Sequence, residues 1–143
     1  MIVVDTSILV YAVGSEHDLG EPSGRLFDAV AEGRLEATST VEVIQEFTHA
    51  FSRRRSRREA ADRARSYTTL LAPLLASDAS YVDPALDLFE RHERLDIFDA
   101  FLTAAALDAG ASALVSADAA FASLEELSHV APGSAAFEEL LAA

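Results

Sequence analysis

The stretch Ile2-Val3-Val4-Asp5-Thr6-Ser7-Ile8-Leu9-Val10-Tyr11 decides how the chain is read. Ile2 to Val4 is a short β-branched run of strand type. Asp5, Thr6 and Ser7 follow as a string of helix N-cap residues, after which apolar residues resume. Strand, polar corner and helix is the first half of a βαβ unit, and the pattern recurs downstream. Gly14 to Gly20 reads as loop. Pro22 opens a helix through Ala31 that Gly33 stops. Leu35 to Thr38 reads as a second strand. Thr40 caps a helix from Val41 to about Ser52, with Val43, Ile44, Phe47 and Phe51 at the 3.6-residue period. A further helix runs from about Arg57 to Ala72 and ends before Pro73, and Leu74 to Ala76 reads as a short strand.

Asp83-Pro84 starts a helix through about Arg91. Asp96 to Asp108 is the most apolar helix; its alanines allow close approach, so it is expected to be central, with Gly110 as its stop. Ala113-Leu114-Val115 is a clear strand ending at Ser116-Ala117-Asp118. A short helix, an edge strand at His129-Val130, a turn at Pro132-Gly133 and a last helix from Ser134 complete the chain. Strands alternating with helices imply an α/β fold, a mostly parallel sheet with helices on both faces. In such sheets ligands collect at the carboxyl ends of the strands. Asp5 and Asp118 each lie just beyond a strand and should meet on that edge.

At 143 residues, half of them apolar and none of them Cys, the sequence predicts one domain over residues 1–143 that holds a core without disulfides or structural zinc. Its apolar runs are far short of the roughly 20 residues a membrane helix needs. A carboxylate inside the first apolar segment, with no basic leader, is unlike a cleavable secretory signal, so the expected compartment is the cytoplasm. All 11 basic residues are Arg. The absence of Lys excludes a P-loop and Schiff-base chemistry, and the absence of Cys excludes a thiol nucleophile. Carboxylates, hydroxyls, four His and Arg remain.

The net charge of −13 argues against nucleic-acid binding by general basicity. Its distribution changes that reading. Arg53, Arg54, Arg55, Arg57, Arg58, Arg63 and Arg65 are accompanied only by Glu59 and Asp62, so this stretch carries +5 and the remainder −18. A solvated helix face serving solubility is the ordinary explanation of such a run.

Two more acids lie in otherwise apolar helices: Glu46 between Ile44 and Phe47, and Asp99 between Phe98 and Ala100. An unpaired buried charge costs several kcal/mol, so each needs a reason. Singly, ordinary reasons exist. Asp99 would complement a helix dipole, Glu46 would face solvent or pair with Arg, and Asp5 and Asp118 would be N-caps.

Together, four motifs in order carry a resemblance. They are Val3 to Tyr11, Glu42-Val43-Ile44-Gln45-Glu46-Phe47, Asp99-Ala100 with the Ala-rich stretch to Gly110, and Leu114-Val115-Ser116-Ala117-Asp118-Ala119-Ala120-Phe121. The chain resembles PIN-domain ribonucleases, specifically VapC-type toxins of bacterial toxin–antitoxin pairs, over nearly its whole length. The resemblance implies a three-layer α/β/α sandwich and places the family's four acids on Asp5, Glu46, Asp99 and Asp118, with Ser7 and Ser116 as orienting hydroxyls. Glu42 and Asp96 each lie one turn from a preferred acid, as accessory or surface groups.

Four carboxylates at one sheet edge repel one another unless a cation neutralises them, and an all-oxygen set suits Mg²⁺ or Mn²⁺. Asp5 and Asp99 are expected as direct ligands, and Glu46 and Asp118 as water-mediated ligands or ligands of a second ion. The implied activity is endoribonuclease cleavage leaving a 5′-phosphate and a 3′-hydroxyl. The implied partners are RNA, a cognate VapB-like antitoxin and a second copy in a homodimer. Arg53, Arg54, Arg55, Arg57 and Arg58 are candidate contacts for RNA phosphates or for the antitoxin. A DNA-directed nuclease and a degenerate binding module are the competing readings. His17, His92 and His129 read as surface or loop residues, and His49 shares the Glu46 face without an assigned role. Phe47, Phe51, Phe89, Phe98, Phe101 and Phe121 read as core.

Overall fold

The computed structural model describes residues 1–14 and 16–143. Strand β1 (Ile2–Val4) leads through Asp5 into α1 (Thr6–Val13), followed by α2 (Gly20–Ala31), β2 (Ala37–Thr38), α3 (Val41–Ser52) and α4 (Arg57–Leu70). A 3₁₀ turn at Ala79–Tyr81 precedes α5 (Val82–Arg91) and α6 (Ile97–Asp108). Then come β3 (Ala113–Val115), a 3₁₀ turn at Ala119–Ser123, β4 (His129–Val130) and α7 (Ala135–Ala142).

The four strands pair in parallel in the order β2-β1-β3-β4. Successive side chains of a strand point to opposite faces, and Ile2, Val3 and Val4 are all at most 1% exposed. Helices therefore cover the sheet on both sides, as the unbroken apolar runs of β1 and β3 require. Phe47, Phe121 and Phe137 are fully buried in the same core. A second cluster joins α5 to α6 through Ala85, Leu88, Ala100 and Ala104, which is the close approach that the alanine run permits.

Local signals set most boundaries. The Thr40 hydroxyl accepts from the Val43 amide and caps α3, and the Asp96 carboxylate accepts from the Asp99 amide and caps α6. Gly33 (φ 70°) and Gly110 (φ 68°) adopt the left-handed conformation that ends α2 and α6.

Several expectations are corrected. Leu74 to Ala76 is not a strand. Leu75 makes one isolated bridge to Thr40, after which the chain turns away and Asp78 caps the 3₁₀ turn. The second strand shrinks to Ala37–Thr38, because Leu35 still bonds the Ala29 carbonyl at the end of α2. Helix α2 begins at Gly20 rather than Pro22, since a proline fits anywhere in a first turn. Phe98 and Phe89 are not core: they are 74% and 45% exposed. No helix among the described residues is long and apolar enough to cross a membrane.

Candidate active site

The chain crosses from β1 to β2 on one side and later returns to β3 on the other. The gap between the ends of β1 and β3 is thus the switch point at which parallel sheets bind ligands. Register does the rest. Val4 pairs with Val115, and the Asp5 amide donates to the Val115 carbonyl at 3.0 Å, so Asp5 and Ser116 emerge side by side.

Asp5 occupies the N-cap position of α1 but does not cap it. Its Oδ2 instead accepts from the Ser7 hydroxyl at 2.9 Å and the Ser116 hydroxyl at 2.7 Å. Each serine is itself fixed: Ser7 Oγ accepts from the Ala117 amide at 3.1 Å, and Ser116 Oγ from the Asp118 amide at 2.9 Å. Ser116 is fully buried. Asp5 Oδ1 has no protein donor among the described residues and stays open to a ligand.

Glu46 is reached from α1. The Thr6 hydroxyl donates to its Oε2 at 3.0 Å, tying the start of α1 to the middle of α3. Burial pushes the Glu46 carboxyl up, Thr6 opposes that, and the Asp5 and Asp96 charges push it further up. Asp99, in the first turn of α6, is pushed up to about 7, first by burial and then by repulsion from Asp96, Asp5 and Asp118. Asp118 caps the following 3₁₀ turn through Oδ1, which accepts from the Ala120 amide at 2.9 Å. The capping explanation thus holds for one of its oxygens and fails for Asp5.

Asp5, Glu46 and Asp99 line one cleft of about 690 Å³, continued by Gln45, His49 and the exposed Phe98. Asp118 does not line this cleft, but its charge is close enough to raise Asp99. Among the described residues no three His, Asp or Glu side chains are drawn close enough to clasp an ion by themselves. The donor set suits a hard cation that takes one or two carboxylates and keeps several waters. Burial and neighbouring carboxylates raise both Asp99 and Glu46, and that is the electrostatic demand such a cation would meet.

Thr6 was legible only as a cap residue and Asp96 only as an accessory or surface acid, and their effect on Glu46 depends on how α1, α3 and α6 pack. Glu42 is bound by the Ser77 hydroxyl at the cleft rim.

The arginines divide. All five are exposed, but Arg53, Arg54 and Arg55 line a second pocket of about 400 Å³ between α1 and the α3–α4 turn, whereas Arg57 and Arg58, in the first turn of α4, do not.

Comparison with known proteins agrees with this architecture. The PIN domain family model matches residues 2–127. Ribonuclease VapC7 of Mycobacterium tuberculosis is 45% identical over 145 residues, spanning 99% of this chain and 98% of that protein. Two solved structures share the fold. The VapBC2 structure of Rickettsia felis, bound to a promoter DNA fragment, superposes with a TM-score of 0.71 at 17% identity, covering 92% of this chain and 98% of that one. Mycobacterium tuberculosis VapC20, described as a toxin cleaving the sarcin–ricin loop, gives 0.70 at 19% identity, with 89% and 98% covered. With a family match over residues 2–127 and a relative 45% identical along the whole chain, the chain belongs to the PIN-domain family.

Proposed function

We propose that the protein is a divalent-metal-dependent endoribonuclease and the toxin of a VapBC-type pair. The observation that carries this is the arrangement around Asp5. One of its oxygens is locked by two serines while the other has no protein donor among the described residues, and Asp5 lines a cleft together with Asp99 and Glu46. A scaffold that fixes one carboxylate oxygen and spends no donor on the other is built to present it to a ligand. The similarity to a protein named a ribonuclease supports the choice of RNA.

In this reading Asp5 and Asp99 would hold Mg²⁺ or Mn²⁺ directly, and Glu46 and Asp118 would hold its waters or a second ion. When bound, the ion would polarise the scissile phosphodiester and lower the pKa of a water for in-line attack. The chain's own part is positional. Ser7 and Ser116 keep Asp5 in one rotamer, and Thr6 turns Glu46 into the cleft. Water attacks phosphorus, the P–O3′ bond breaks, and the products are a 5′-phosphate and a 3′-hydroxyl. A VapB-like antitoxin would place a basic side chain among the acids, drawn by the negative charge of the chain outside the arginine cluster. The partnered VapBC2 toxin shares the fold of this chain. A homodimer is the assembly this reading carries.

The test is a substrate panel with purified protein and Mn²⁺: matched RNA and DNA oligonucleotides, with end-group mapping of the products. RNA cleavage lost with a chelator and with Asp5→Asn is the expected result. Preferential DNA cleavage would establish the DNA-directed alternative. Absence of RNA cleavage, with Asp5→Asn protein binding RNA as well as wild type, would make the chain a binding module.

A further inference from the structure

The pocket formed by Val10, Val13, Phe51, Arg53, Arg54 and Arg55 has a composition unlike the rest of the surface. Its floor is apolar and its rim is three consecutive guanidinium groups. Among the described residues Arg25, Arg34, Arg65 and Arg91 each pair with a carboxylate. Arg53, Arg54 and Arg55 take part in none of these pairs, in a chain with 24 acids to choose from. Compensation of the α3 dipole accounts for Arg53 and Arg54, which lie at its C-terminal end. It does not account for Arg55, or for Arg57 and Arg58, which sit where a helix N-terminus disfavours positive charge. A local rule broken without local compensation marks a site with another purpose.

The floor is preordered. The Phe51 ring stacks on Phe47 at 5.3 Å, and Phe47 meets Tyr67 edge-on at 5.0 Å, so Phe51 is backed by core and presents its other side to the pocket. An aromatic platform beside bidentate cations is the chemistry of a nucleotide, whose base stacks and whose phosphate is forked. His49 lines both this pocket and the acidic cleft, so the two are contiguous. Glu46, His49 and Arg53 follow one side of α3, and seven residues of helix separate the acid from the first arginine by about 10 Å. A single strand crosses that gap within a few nucleotides.

We infer that this pocket binds a nucleotide of the RNA flanking the cleaved bond, with Arg53, Arg54 and Arg55 on its phosphate and Phe51 under its base. The inference rests on the ribonuclease reading and supplies what the acidic cleft lacks, an attraction for a polyanion. An antitoxin segment would need an apolar and an acidic side chain side by side to use floor and rim together, whereas every nucleotide carries a base beside a phosphate, which favours RNA.

The experiment measures affinity of a fluorescent single-stranded RNA by anisotropy, in chelator and over a salt series. It compares wild type, Arg53→Ala/Arg54→Ala/Arg55→Ala, the corresponding triple Lys variant, and Arg94→Ala as an exposed control. The triple Ala variant should bind at least about tenfold more weakly, and its salt slope should be shallower by about two, at roughly 0.7 for each phosphate no longer neutralised. The triple Lys variant should keep the slope and recover part of the affinity, and Arg94→Ala should match wild type. With Mn²⁺ present, the effect should fall on KM for RNA more than on kcat. A 2-aminopurine placed along the RNA should be quenched at one position, and Phe51→Leu should relieve that quenching. Unchanged affinity and slope in the triple Ala variant would overturn the inference, including the case in which antitoxin binding is abolished instead. Because binding is read in chelator, a wild-type protein that cuts no RNA would defeat the nuclease reading and still leave the pocket judged by its own result.

Discussion

Ser116 Oγ donates to Asp5 Oδ2 at 2.7 Å across 111 residues of sequence, and the same oxygen accepts from the Asp118 amide. One buried hydroxyl therefore joins the ends of β1 and β3 and orients two of the four acids.

Replacing it tests that coupling. Ser116→Ala leaves Asp5 to Ser7 alone and orphans the Asp118 amide, so unfolding by urea should show a loss of about 1.5–3 kcal/mol, the range for hydrogen bonds to charged groups. Cleavage should fall roughly 10- to 100-fold, as when an outer partner of a metal ligand is removed. Full activity in a destabilised variant would mean that the serine serves only the fold.

Asp99→Asn should separate stability from activity. Asp99 suffers repulsion from Asp96, Asp5 and Asp118, so the neutral amide should raise the melting temperature of the protein in chelator by a few °C, at roughly 2–4 °C per kcal/mol for a chain of this size. The same change should lower kcat/KM at least about a hundredfold, which corresponds to losing about 3 kcal/mol of transition-state stabilisation. A lower melting temperature in chelator would show that the carboxylate is not strained in the free protein.

Stability should depend on pH in a direction fixed by the raised acids. Asp99 titrates near 7 in the folded protein against 3.8 ordinarily, and Glu46 is also raised. Between those values the folded state binds more protons than the unfolded one, so stability is greatest below about pH 4 for this group and declines as pH rises through 7. Melting curves in chelator from pH 5 to 8 should show that decline once other groups are allowed for. Mn²⁺ should raise the melting temperature more at pH 8 than at pH 5, because ligation needs the ionised carboxylates. Equal stabilisation at both pH values would argue against Asp99 as a ligand.

Two phenylalanines of similar helical pattern should behave oppositely. Phe47 is fully buried, and Phe47→Ala should cost about 3–5 kcal/mol. Phe98 is 74% exposed, and Phe98→Ala should stay within about 0.5 kcal/mol of wild type in urea unfolding.

That pair also shows where sequence reading stops. Periodicity identified both as apolar positions of helices, yet α3 buries its face against α1 and α4 while the first turn of α6 leaves Phe98 exposed in the cleft. Leu74 to Ala76 failed for a related reason. An apolar triplet predicts extended backbone, but a strand needs a partner along its length, and only Leu75 finds one.

The sequence by itself determined the α/β class, the parallel sheet and most helix ends, and it singled out the four acids as candidates. These follow from local rules: β-branched runs, caps, left-handed glycines and helical period act over a few residues. The family resemblance rests on the same short motifs. Tertiary structure alone decided that Asp5 bonds Ser116 rather than capping α1, that Thr6 holds Glu46, and that Asp96 lies near enough to Glu46 to raise it. It also divided one run of arginines between a pocket rim and an exposed helix start. Each of those outcomes depends on strand register and helix packing, which bring together groups whose separation in the chain carries no local signal.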